Sequence, residues 1–63
     1  MCELKIIVDK RGTKETVMES VSKVVVNGNL IECVEIFGDK KTISGSIKEI
    51  DFSKGELLII ENV

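Results

Sequence analysis

The sequence predicts an all-β chain, folded over residues 1–63 as one small, strongly bent barrel of the SH3-like or Sm-like kind with about six to seven short antiparallel strands. Three observations carry this reading. Ile, Val and Thr make 20 of the 63 residues β-branched, while Ala, the best helix former, is absent. Each of the five glycines sits in a turn context. Between the turns, apolar residues alternate with polar ones at the period of a strand.

Leu4 to Asp9 places Leu4, Ile6 and Val8 on one face, and Lys10-Arg11-Gly12 ends it. Thr13 to Val26 follows. Val17, Met18, Val21, Val24 and Val25 in this stretch also fit an amphipathic helix, but four of the five are valine, and the hairpin signal Asn27-Gly28 requires Val24 to Val26 to be extended. The expectation is therefore two strands with a break near Glu19-Ser20. Leu30 to Phe37, Lys40 to Ser44, Ile47 to Phe52 and Leu57 to Glu61 complete the set, and Gly45 is where a strand can bend to close a barrel. Val24 to Val26 and Leu57 to Ile60 are apolar on both faces and cannot all enter one small interior. Some of that surface is left for another chain, which points to a homodimer.

Composition removes whole classes of chemistry. With no His anywhere, triads, Cys-His dyads and His-containing metal sites are excluded. No glycine belongs to a phosphate-binding motif, and Asp9, Glu32, Glu35, Asp39, Glu49 and Asp51 show no spacing diagnostic of acid-base catalysis or of a calcium loop. The expectation is that the chain is not an enzyme. A net charge of −2 and only two aromatic residues, Phe37 and Phe52, disfavour nucleic-acid binding. The basic pairs Lys10-Arg11 and Lys40-Lys41 would carry the alternative of a small RNA-binding barrel. A protein-interaction face around Leu58 and Ile60 is a further alternative. The opening Met-Cys-Glu-Leu-Lys has no signal-peptide character and no apolar run spans a membrane, so cytoplasmic residence and reduced thiols are expected.

Two residues could bind a soft metal. Cys33 alternates within an apolar strand and reads as a half-buried hydrophobe. Cys2 is different, because its thiolate lies beside the first backbone nitrogens of the chain. If Met1 is removed, the α-amine and thiolate close a five-membered chelate; if Met1 stays, the Cys2 amide must lose its proton, which suits square-planar Ni(II) or Cu(II). Either way one chain supplies too few donors. Two chains meeting at Cys2 would supply two sulfurs and two nitrogens, tying metal binding to dimerisation.

Met1-Cys2 followed by Lys5 and an apolar strand, Val24-Val25-Val26-Asn27-Gly28, Phe37-Gly38-Asp39-Lys40, and Gly45 through Phe52 with Gly55 together resemble the CooT family of small nickel-binding proteins, whose members are also described as predicted RNA-binding proteins. The resemblance runs nearly the full length of the chain. It implies a compact all-β protomer, a homodimer, and Ni(II) held by Cys2 of both protomers near the dimer axis. It also implies an accessory role in nickel insertion into carbon monoxide dehydrogenase, with a nickel-enzyme client as partner. Only Cys2 transfers as a metal ligand, since Cys33 lies outside the family pattern.

Overall fold

A computed structural model of the chain describes residues 3–62. Among these residues five strands form a closed barrel in the order β1 (Leu4–Lys10), β2 (Thr13–Asn27), β3 (Leu30–Glu35), β4 (Lys40–Asp51) and β5 (Glu56–Glu61). Successive strands pair antiparallel, and the barrel is shut by a parallel pairing of β1 with β5, from Lys5↔Glu56 to Asp9↔Ile60.

The expected small all-β barrel is present, with five strands in place of about six to seven, because two strands bend where breaks were expected. β2 is one strand. Its residues up to Val21 pair with β1 and those from Val21 onward pair with β3, with register shifts on both sides of the changeover. Ser20, at φ 60, takes up the bend. The break near Glu19-Ser20 is thus a kink in a continuous strand, and the helical alternative for Thr13 to Val25 is not adopted. β4 likewise joins the expected Lys40 to Ser44 and Ile47 to Phe52 strands. Lys40–Ser44 pairs with β3 and Gly45–Asp51 with β5. Gly45 is the joint, as expected, because a Cβ there would collide with the Ile60 carbonyl oxygen. The parallel β1–β5 pair also departs from an all-antiparallel reading. It was not visible in the sequence because closure joins the first and last strands, which no local turn connects.

The tight turns set the register. Arg11 and Gly12, both at positive φ (54 and 91), form a two-residue hairpin between the Lys10↔Thr13 pair, and the Gly12 N–H donates to Asp9 Oδ1 at 2.7 Å. The second hairpin turns on Gly28 and Asn29, with Asn27↔Leu30 flanking it. That is one residue later than the expected Asn27-Gly28 pair. Only Gly28 (φ 59) has positive φ, as in primed turns that place glycine first.

Inward-facing Ile6 and Val8 of β1, Met18 and Val21 of β2, Ile31 and Cys33 of β3, Ile43 of β4, and Leu57 and Ile59 of β5 make the core. Each fully buried aliphatic side chain contributes about 1.5–3 kcal/mol. The surplus apolar surface expected from the two-faced strands is partly realised, with Val26 and Ile60 exposed. Leu58 is nearly covered, at 9% exposure on the outer face, which withdraws it from the interaction face expected around Leu58 and Ile60. No helix among the described residues is long and apolar enough to cross a membrane.

Candidate functional site

Cys2, the metal ligand expected from the sequence, lies outside the described residues. Glu3 precedes β1, and the backbone beside it is held from two sides. Lys5 N–H donates to the Gly55 carbonyl at 2.8 Å, and a Cβ on Gly55 would stand 3.5 Å from the Glu3 carbonyl oxygen. The β4–β5 loop therefore lies directly against the start of β1. On the other side, Leu4 pairs with Val21, which pairs with Glu35, and the Ile36 N–H donates to the Ser20 carbonyl at 2.9 Å. The β3–β4 loop is held there. Both loops thus flank the first turn of chain into the barrel.

Each loop carries a phenylalanine. Phe37 is 80% exposed and Phe52 is 81% exposed, accompanied by the partly exposed Ile36 and Ile50. Each ring leaves on the order of 150 Å² of apolar side chain open to solvent, on a loop held beside the start of β1. Sequence reasoning counted Phe37 and Phe52 only as scarce aromatics and missed that both stand exposed on loops held near the start of β1. The signal was available, because both lie in glycine-bearing turns, Phe37-Gly38 and Phe52 through Gly55, where no strand face could bury them.

Local hydrogen bonds hold these loops. Asp51 Oδ1 accepts from Ser53 Oγ and from the Ser53 and Lys54 N–H groups at 3.0 and 3.2 Å, closing the turn that presents Phe52. The Ser53 hydroxyl and then the Lys54 N–H hold the Asp51 carboxyl below its usual range. In the β3–β4 loop, Glu35 N–H donates to the Asp39 carbonyl at 2.8 Å and Gly38 N–H to the Glu35 carbonyl at 2.9 Å.

The second thiol is removed from solvent. Cys33 is fully buried in the core, beyond the half-burial expected, and burial pushes its thiol pKa up. That environment disfavours the thiolate a metal needs. Among the described residues no group of three or more Cys, His, Asp or Glu is placed to hold a metal ion. Of the basic pairs, Lys10 and Lys41 reach one hollow beside β1 and β4, where Lys10 Nζ lies 3.7 Å from Glu61 Oε1. Neither phenylalanine lines that hollow, so the stacking surface an RNA-binding face uses is absent from it.

A small bent β-barrel with two exposed phenylalanines on the loops held beside its first strand, and a cysteine two residues before that strand begins, defines a compact class of small all-β proteins. Residues 1–60 match the family model of the CO dehydrogenase accessory protein CooT, and the chain belongs to this family. It is similar to protein MJ1551 of Methanocaldococcus jannaschii, 40% identical over 45 residues that cover 71% of this chain and 79% of the relative. Its fold matches the crystal structure of a protein assigned as CooT from Carboxydothermus hydrogenoformans with a TM-score of 0.87, at 22% identity, over 98% of this chain and all of the other.

Proposed function

We propose that this chain is a nickel-binding homodimer in which the Cys2 thiolates and adjacent backbone nitrogens of two protomers hold one Ni(II). It serves as an accessory in the maturation of a nickel enzyme of the carbon monoxide dehydrogenase type. In this role the chain holds or passes on a metal ion and catalyses no reaction. The observation that carries the reading is a pair of exposed rings: Phe37 and Phe52 stand on the two loops whose backbones are tied near the start of β1, where the chain arrives from Cys2. An apolar surface beside a ligand-bearing terminus lets burial of the rings bring two termini together, so that association and metal binding support each other.

The donor chemistry fits. There is no His to compete, Cys33 is enclosed, and the described carboxylates do not converge, which leaves Cys2 as the thiolate. Two sulfurs with two backbone nitrogens make a four-donor set suited to square-planar Ni(II). Family membership supports the accessory role and the client class.

The test is a Ni(II) titration of the reduced protein, following thiolate-to-metal charge-transfer absorption and native mass, with Cys2→Ala alongside. The expected result is a plateau at one Ni(II) per two chains that the variant lacks while keeping its fold. No charge-transfer band, or a band that survives the substitution, would overturn the reading.

A further inference from the structure

A hollow of about 360 Å³ opens beside β1, β2 and the first half of β4. Val8, Val17 and Ile43 form its apolar part, and Lys10, Lys41 and Glu61 bring charge to it. The hollow thus has an apolar floor under a polar margin, since Thr42 and Ser44 line it as well.

One wall of this hollow is a free strand edge. Gly45 N–H donates to the Asn29 carbonyl on the β3 side, whereas the Ser44 carbonyl faces the other way and accepts from Asn62 N–H at 2.9 Å. In an antiparallel ladder alternate residues direct both backbone groups to the same neighbour. Thr42, two residues before Ser44, therefore turns its N–H and C=O away from β3 and toward the hollow that it lines. Among the described residues no strand pairs with that side of Lys40–Ile43. Unpaired strand edges recruit another strand unless something blocks them.

We infer that this hollow accepts an extended segment of a partner protein as an added strand along the Thr42 edge, the segment carrying an apolar and an acidic residue two positions apart. Lys41 and Ile43 lie on the same face of β4, on either side of Thr42. A strand added there sets one side chain opposite Ile43 and the next on that face opposite Lys41. Ile43 is buried and continues the apolar floor, so it selects an apolar residue. Lys10 is occupied by Glu61, whereas no carboxylate pairs with Lys41 among the described residues, so Lys41 selects an acid. Main-chain hydrogen bonds supply affinity and the two side chains supply the choice of partner, the usual division in strand addition. Neither Cys2 nor either exposed phenylalanine takes part, so this inference stands or falls apart from the nickel reading.

The test uses the full chain, labelled with ¹⁵N, and a blocked pentapeptide of threonines with valine at the second position and glutamate at the fourth. A control peptide carries lysine for glutamate. The expected result is a shift and slowed exchange of the Thr42 amide with the glutamate peptide and a weaker response to the control. Lys41→Glu, at an exposed position, should lower affinity for the glutamate peptide about fivefold and favour the lysine one. No response at millimolar peptide, or equal responses to both peptides, would overturn the inference. So would perturbation by inorganic phosphate or oligouridylate in place of peptide, which would assign the hollow to anions or RNA. A Thr42 amide already protected in the free protein and released on dilution would assign the edge to a second copy and overturn it as well.

Discussion

Gly45 packs its α-carbon against the carbonyl oxygen of Ile60, at the joint where β4 leaves β3 and joins β5. The backbone of Ile60 fills the space where any side chain at residue 45 would begin. Relief by a rotamer change is impossible because the obstacle is backbone. Gly45→Ala should therefore destabilise the chain by about 2–3 kcal/mol, measured by urea unfolding, although alanine would ordinarily cost little at a strand position. A loss under 0.5 kcal/mol would show that the joint tolerates displacement.

Ser20 holds φ 60 in the middle of β2, and its carbonyl accepts the Ile36 N–H that secures the β3–β4 loop. A β-branched residue is strained in that conformation, whereas glycine and asparagine adopt it readily. Ser20→Val should cost about 1–2 kcal/mol and weaken protection of the Ile36 amide in hydrogen exchange, while Ser20→Gly or Ser20→Asn should keep both. Equal stability of the valine and asparagine variants would show that the kink is not fixed at this residue.

These two positions show what the sequence could and could not disclose. β-branched content and glycine placement made the strands and turns readable, and Gly45 was readable as a bend because glycine inside a strand has few other uses. Ser20 gave only a lapse in the valine pattern, which reads equally as a break or a kink. The choice between them depends on whether β1 and β3 take successive halves of the same strand, and that is a tertiary fact. The turn at Arg11 was similar, since arginine is not a residue that advertises positive φ. For the site, Cys2 was legible from its chemistry. The exposed phenylalanine loops beside β1 were not, because they are distant from that strand in sequence.

Asp51 titrates below its usual range because its charged form accepts hydrogen bonds from Ser53 and Lys54. A carboxyl depressed in the folded state contributes stability above its unfolded pKa, about 4, and loses it as pH falls through the lower folded value. The amides of Ser53 and Lys54 should shift together with a midpoint below that of an aspartate in the unfolded chain in an NMR titration, and the Phe52 loop should loosen over the same range. An Asp51→Ala variant should show that loosened loop at neutral pH. A midpoint equal to or above that of the unfolded-chain aspartate would contradict the hydrogen-bonded turn.

Cys33, enclosed by the core and with its thiol shifted upward, should resist iodoacetamide in the folded protein at pH 8 and react once the chain is unfolded in urea. A raised thiol pKa leaves its contribution intact below the unfolded value, about 8.5, and removes it as pH rises through the folded one. Stability should therefore fall on the alkaline side in the wild type and less so in Cys33→Val, a swap of similar size and apolarity. Peptide mapping that finds Cys33 alkylated under native conditions would place it outside the sealed core.

Phe37 and Phe52, each about four-fifths exposed, contribute little to the stability of a lone barrel, so replacing either by glutamate should change its unfolding free energy by under about 0.5 kcal/mol. In a dimer joined through these rings the same changes place charge in an apolar contact, which is costly without a partner. Phe37→Glu and Phe52→Glu should therefore be folded monomers by sedimentation, and Ni(II) at one per two chains should be lost with Cys2 still in place. That combination separates the rings from the ligand, since Cys2→Ala removes a donor and leaves the apolar surface whole. A glutamate variant that stays dimeric and binds nickel at the wild-type ratio would move the interface away from these loops and leave the exposed rings to another partner.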